Sequence, residues 1–315
     1  MKVLVNDGIE EIGKKLMEEA GIDVDMNTIT QDDLSTRLNE YDGICVRSAT
    51  KVRQNLIDNA PNLKVIGRGG VGLDNIDVDY AHSKGIKVVN TPAASSRSVA
   101  ELAIAHLMSI ARNLHMSNRA MSLRGTAEFA KLKKAYSNGT ELEGKTIGLI
   151  GLGRIGQELA SCAFGLGMNV IATDPFVKEA TIKIGPKHLG LTTTVVTTDI
   201  DTVLTSSDFI SVHIPSVKEP IIGKKEIEMM KDGVILINTS RGGVINEEAI
   251  LDGLESGKLR GVGLDVFVGE PSPDAQILSH DKISLTPHIG ASTEEAQNKV
   301  GIELAQKIIE SLKNS

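Results

Sequence analysis

The run Lys145-Thr146-Ile147-Gly148-Leu149-Ile150-Gly151-Leu152-Gly153-Arg154-Ile155-Gly156 constrains the fold more than any other part of the chain. An apolar strand pattern enters glycines spaced as GxGxxG, and helical periodicity follows from Gln157 to Leu166. In such a turn Gly151 permits the tight bend, Gly153 lets a diphosphate approach the backbone, and Gly156 allows the helix to sit close on the strand. The helix N-terminus then presents its amides to the phosphates. A second strand pattern, Asn169 to Thr173, ends in Asp174, eighteen residues past Gly156. A carboxylate there accepts both hydroxyls of an unphosphorylated ribose and repels a 2′-phosphate, so the segment predicts NAD rather than NADP.

Short Val/Ile/Leu runs recur around this unit, at Val3 to Val5, Ile44 to Val46, Leu63 to Ile66, Lys87 to Val89, Phe209 to Val212, Val234 to Ile237, Val262 to Leu264 and Ile283 to Leu285. Continuous apolar runs alternating with helical patterns are the mark of parallel sheets covered on both faces. At 315 residues the chain is long enough for two such domains. The expected class is α/β with two doubly wound parallel-sheet domains. One is a Rossmann NAD-binding domain over residues 98–288; the other is a discontinuous flavodoxin-like substrate domain built from 1–97 plus 289–315. A long apolar helix from Ser98 to Arg112, followed by a polar stretch from Ser117 to Thr140, marks the crossing. The amphipathic segment Thr293 to Leu312 is expected to pack on the first domain.

Thirty-four basic and 41 acidic residues give a net charge of −7, so nucleic acid and anionic membrane are not expected partners. An anionic substrate therefore needs a local cationic pocket. Cys45 and Cys162 stand outside any CxxC or Cys/His spacing, so neither a metal site nor a disulfide framework is expected. The chain opens on the strand pattern Met1-Lys2-Val3-Leu4-Val5 without a secretion signal, and a reducing cytoplasm is the expected location.

Three further segments each close a strand pattern: Asn238-Thr239-Ser240-Arg241-Gly242-Gly243, Asp265-Val266-Phe267-Val268-Gly269-Glu270-Pro271 and Thr286-Pro287-His288-Ile289-Gly290. Ligands of doubly wound sheets bind outside the carboxyl ends of the strands, so these segments are expected to face one crevice. An Arg fork grips a carboxylate, a His exchanges a proton with a hydroxyl oxygen, and a carboxylate beside the His stabilises its imidazolium.

With GLGRIG at 151–156, NTSRGG at 238–243, GLDVF and GEP within 263–271, and TPHIGAST at 286–293, the sequence resembles the D-2-hydroxyacid dehydrogenase family over essentially its whole length. The resemblance implies that Arg241 binds the substrate carboxylate, Glu270 polarises the His, and His288 is the acid/base. It places Asp265 near the nicotinamide carboxamide, and Arg154, Ile155, Pro215, Thr239, Ser240 and the His288 to Gly290 segment around the cofactor. The Thr-rich stretch 181–198 and HIPSVKEP at 213–220 depart from the family pattern.

Arg47-Ser48-Ala49-Thr50-Lys51-Val52 and Gly67-Arg68-Gly69-Gly70-Val71-Gly72 lie in the first domain. Amides at Gly70, Val71 and Gly72 would form an anion nest, with Arg47, Ser48 and Arg68 adding donors for a second anionic group such as phosphate. Ser48 or Thr50 would equally serve as a helix cap. Both segments look like the substrate loops of family members that oxidise D-3-phosphoglycerate to 3-phosphohydroxypyruvate at the entry to serine synthesis, and that activity is expected here, in a cleft between the domains. Lys133 or Lys134 would reach a neighbouring subunit of a homodimer, and no regulatory domain is expected beyond Ser315. The alternatives are a reductase of glyoxylate, hydroxypyruvate or another 2-oxoacid and, further off, a non-enzymatic NAD-sensing scaffold like the corepressors that share this fold.

Overall fold

The computed structural model describes residues 1–313; Asn314 and Ser315, with which the expected substrate domain ends, lie outside the described residues. The chain forms two compact units, Met1–Ser96 with Ala291–Ser315, and Arg97–Gly290.

In the first unit five parallel strands, β1 (Lys2–Val5), β2 (Asp23–Asp25), β3 (Gly43–Val46), β4 (Val65–Arg68) and β5 (Lys87–Asn90), lie in the order β2-β1-β3-β4-β5. That is the flavodoxin-like doubly wound order, with its switch point between β1 and β3. Helices α1 (Glu11–Glu19), α2 (Gln31–Arg37), α3 (Gln54–Asp58) and α4 (Val78–Ser83) connect the strands. Helix α2 starts where the Thr30 side chain accepts the Asp33 amide, a capping bond.

Helix α5 (Ser96–Ala111), all but its first residue in the second unit, is followed there by α6 (Leu114–Ala135). The polar stretch from Ser117 is thus mostly helix, because its Ala, Lys, Arg, Leu and Met side chains favour helix even without an apolar stripe. The strands follow as β6 (Thr146–Ile150), β7 (Asn169–Thr173), β8 (Glu179–Lys183), β9 (Thr192–Val196), β10 (Phe209–Val212), β11 (Val234–Asn238), β12 (Leu259–Leu264) and β13 (Ile283–Leu285). The helices are α7 (Arg154–Gly165), α8 (Ile200–Ser206), α9 (Lys224–Met229), α10 (Glu247–Glu255) and α11 (Ala275–Ser279). The parallel sheet runs β13-β12-β11-β10-β6-β7. Beyond β7 the usual next strand is reduced to a single bridge from Ala172 to Thr197, because the Thr-rich segment folds into the antiparallel β8–β9 ribbon.

Helix α12 (Glu294–Lys313) belongs to the first unit, where Leu304, Ile308 and Leu312 join Val3, Val5 and Met17 in one core. Burying each such aliphatic side chain is worth roughly 1.5–3 kcal/mol, which explains why the amphipathic tail closes that sheet.

His106 and His213 are both pushed down to about 4 by burial. From the ordinary value of 6.5 down to about 4, the unfolded chain takes up protons at these positions that the folded chain refuses. Stability is therefore expected to fall as pH drops through that window. Thermal melts across the window check this, and a midpoint that stays level would contradict it.

Candidate active site

The GxGxxG turn is built as its sequence predicts. Gly151 closes β6 at φ +102, and a Cβ there would run into the His213 carbonyl. A Cβ on Gly156 would strike the Gly151 carbonyl, so α7 crosses the turn at contact distance only with glycine present. Helix α7 begins at Arg154 and Ile155, and no side chain caps it. The Gln157 side-chain amide donates to the Leu152 carbonyl at 2.9 Å and holds the loop. Asp174 follows β7; its Oδ2 accepts the Leu152 amide at 2.8 Å and its Oδ1 accepts the amides of Phe176 and Val177 at 2.8 and 3.0 Å. The carboxylate thus ties the glycine loop to the end of β7. Oδ1 is thereby fully used, and Oδ2, with one acceptor site taken, keeps capacity for a ribose hydroxyl.

At the end of β11, Asn238 organises the next segment. Its Oδ1 accepts both the amide and the hydroxyl of Ser240, at 3.0 and 2.7 Å, and its Nδ2 donates to the Arg241 carbonyl at 2.8 Å. Arg241 Nη1 donates to the Ser240 carbonyl at 2.7 Å. Thr239 Oγ1 is buried and finds no hydrogen-bond partner among the described residues. A buried hydroxyl of this kind is normally satisfied, so it marks a place where a polar ligand group fits. Together with the glycine cradle and Asp174, it shows that these residues suit a dinucleotide.

Glu270 and His288 meet beyond β12 and β13. His288 Nδ1 lies 2.8 Å from Glu270 Oε2, while Glu270 Oε1 accepts the Phe267 amide at 2.9 Å. A carboxylate only accepts, so Nδ1 carries the proton and Nε2 keeps its lone pair for other chemistry. His288 sits at φ +54, and the turn after it is held by Asp265, which accepts the amides of Ile289 and Gly290 at 2.8 Å each. Burial raises the Asp265 carboxyl, against the lowering effect of its Thr286, Ile289 and Gly290 donors and of His288. Pro215, after β10, is exposed.

In the first unit, Asp7 shapes the segment that follows β3. It accepts the amides of Arg47 and Thr50 at 2.7 and 3.0 Å and the Thr50 hydroxyl at 2.6 Å. Asn75 Nδ2 donates to the carbonyls of Arg47 and Thr50 at 2.8 and 2.7 Å. Thr50 is therefore buried and structural, whereas Ser48 is exposed at the tip. Glu10 stands 3.7 Å from the Arg47 guanidinium, a carboxylate that the segment's own sequence did not disclose. Gly70, at φ +145, leaves room for the Arg68 guanidinium, which occupies the space a side chain would take. Val71 is exposed and Gly72 half-buried.

Residues 104–290 match the D-isomer specific 2-hydroxyacid dehydrogenase, NAD binding domain. Over 99% of its length the chain is 45% identical to hydroxypyruvate reductase of Thermotoga maritima, covering 98% of that protein. The chain belongs to the D-isomer specific 2-hydroxyacid dehydrogenase family. It is also 44% identical over 98% of its length to D-3-phosphoglycerate dehydrogenase of Archaeoglobus fulgidus, but spans only 57% of that relative. Among solved structures, a glyoxylate reductase from Paecilomyes thermophila superposes with a TM-score of 0.82 at 28% identity, covering 98% of this chain and 94% of that one. The protein is thus an NAD-dependent D-2-hydroxyacid dehydrogenase. Among the described residues, no helix is long and apolar enough to cross a membrane.

Proposed function

We propose that the protein oxidises D-3-phosphoglycerate to 3-phosphohydroxypyruvate. His288 Nε2 takes the hydroxyl proton, Glu270 stabilises the imidazolium so formed, and Arg241 holds the substrate carboxylate in a two-pronged hydrogen bond. NAD, when bound, supplies the acceptor for the hydride that leaves the hydroxyl-bearing carbon. Gly151, Gly153, Gly156, Arg154 and Ile155 would hold its diphosphate and Asp174 its ribose. Pro215, Thr239, Ser240, Asp265 and Gly290 would surround the nicotinamide end. The observation that supports the proton transfer is the fixed His288–Glu270 pair at 2.8 Å; the choice of a phosphorylated substrate rests on the Arg47 segment. The Gly70 amide, expected in the anion nest, is instead donated to the Arg68 carbonyl at 3.0 Å, so we assign Arg47, Ser48 and Arg68, with the amides of Val71 and Gly72, to the substrate's anionic groups.

A second reading, reduction of hydroxypyruvate, is favoured by two observations. The hydroxypyruvate reductase relative matches the chain from end to end. Glu10 beside Arg47 also lessens the positive charge available to a phosphate. The two readings share the carbon skeleton and the chemistry and differ in what Arg47 meets. Arg47→Ala is expected to lower kcat/KM for 3-phosphohydroxypyruvate by about tenfold or more, the scale of losing a charge-assisted hydrogen bond. It should leave hydroxypyruvate within about twofold by the same logic, since no phosphate contact is lost. Equal losses on both substrates would favour the second reading.

We further propose that two copies associate through α6, one side of which exposes Leu114 and Met121, two turns apart. Apolar side chains so exposed along one helix mark an association surface.

A further inference from the structure

Beneath the His288 turn, a chain of buried polar side chains that the proposed chemistry does not use, Ser284, His106 and Thr286, runs to Asp265. His106, on α5, is 3% exposed, and each ring nitrogen lies 2.9 Å from a hydroxyl, Nδ1 from Ser284 Oγ and Nε2 from Thr286 Oγ1. Thr286 in turn donates to Asp265 Oδ1 at 2.7 Å. Asp265 is 1% exposed, and its oxygens receive the amides of Ile289 and Gly290, the two residues after His288.

The protons in this chain have one consistent order. Thr286 has a single proton and gives it to Asp265, so its oxygen accepts from His106 Nε2. Nδ1 of the neutral ring is then the acceptor for Ser284. A hydroxyl that accepts one hydrogen bond donates a stronger one, so the ring strengthens the Thr286 bond to the buried carboxylate. The seat for the ring is built into the sheet. Gly263 lies on β12 beneath it, where a Cβ would stand 2.7 Å from His106 Cβ and 3.0 Å from Cγ.

We propose that His106 is a positioning residue for His288, acting through Thr286 and Asp265 on the Ile289 and Gly290 amides. The inference rests on the reading of His288 as the acid/base. Asp265 in this buried place must be balanced by donors. When the Thr286 donor is lost or misdirected, the hold on the two amides loosens, and with it the placing of His288. The titratable groups acting along the chain are His106, with His115 acting on it, and Asp265, with His288 and its Glu270 partner.

The test compares His106→Leu, Thr286→Val and the double variant, with His106→Gln as the conservative replacement that keeps an amide donor toward Thr286. Each single variant is expected to lower kcat about tenfold, with KM for the 2-oxoacid and NADH affinity by fluorescence titration within about twofold. The double variant should also fall about tenfold rather than a hundredfold, because both changes cut one path. His106→Gln should recover most of kcat. Losing the Thr286 donor raises Asp265 further, so the acid limb of kcat/KM should move to higher pH in Thr286→Val, and in the same direction but less far in His106→Leu, where the hydroxyl still donates to Asp265. A merely structural role would leave that limb in place.

Wild-type kcat in Thr286→Val, which keeps the shape of the side chain, would overturn the inference. A hundredfold, additive loss in the double variant would overturn it as well. His288→Ala, measured alongside, separates the two levels. If it is inactive while His106→Leu and Thr286→Val keep full kcat, the inference fails and the reading of His288 stands. Full turnover in His288→Ala would bring both down.

Discussion

His288→Ala is expected to remove turnover almost completely while leaving NADH affinity within about twofold. Loss of a positioned acid/base group costs about 100- to 10 000-fold in rate. The ring has no part in the glycine cradle at Gly151 to Gly156, so binding has no reason to follow. The argument depends on geometry rather than on residue type. With Nδ1 committed to Glu270 at 2.8 Å and Glu270 itself fixed by the Phe267 amide, Nε2 is held in one orientation. Glu270→Gln should therefore reduce kcat less than His288→Ala, since an amide still orients the ring but no longer stabilises its charged form. Steady-state rates with fluorescence titration of NADH check both statements, and a His288→Ala enzyme at wild-type rate would remove the acid/base assignment.

Arg241→Ala is expected to have the second largest effect, on KM rather than on cofactor affinity. Asn238 fixes the segment after β11, and the Ser240 carbonyl holds Arg241 Nη1 at 2.7 Å, so the guanidinium is already ordered before substrate arrives. Truncating one side of a hydrogen-bonded charge pair costs roughly 2–5 kcal/mol, which corresponds to about 30- to several thousand-fold in kcat/KM at 1.36 kcal/mol per tenfold. Arg241→Lys should recover only part of this, because a single ammonium lacks the planar fork that matches a carboxylate. Recovery to the wild-type level by Lys would show that charge alone, not a two-pronged grip, is what Arg241 supplies.

How much of this was legible in the sequence depended on whether the signal was local. The cradle reads directly from GLGRIG and Asp174 because strand, turn, helix and acid follow one another within one βαβ unit. Arg241, Glu270 and His288 read as a set because each closes an apolar strand. Strand β2, by contrast, is the three-residue edge Asp23–Asp25, too short and acidic to show an apolar run. The β8–β9 ribbon alternates Ala180, Ile182 and Val195 inward with Glu179, Thr181, Lys183 and Thr194 outward, a period-two pattern hidden within a Thr-rich stretch.

Side chains that organise the site through distant partners gave no sequence signal. Asp7 reaches the segment at Arg47 across 40 residues, and His106 reaches Ser284 across 178. Such pairings follow from how α5 and the strands stack, not from spacing. Glu10 beside Arg47 belongs to the same class, and it is the residue that most alters the electrostatics expected of the Arg47 segment.

The most direct test of the central claim is NADH consumption by the wild-type protein with 3-phosphohydroxypyruvate and hydroxypyruvate side by side, followed by NAD reduction with the matching D- and L-hydroxyacids. The account predicts turnover confined to the D-isomers, with kcat/KM highest for the phosphorylated pair. Turnover of the D-isomers with hydroxypyruvate preferred would contradict the phosphate assignment of Arg47. NADH binding with no turnover of any 2-oxoacid would contradict the catalytic account as a whole.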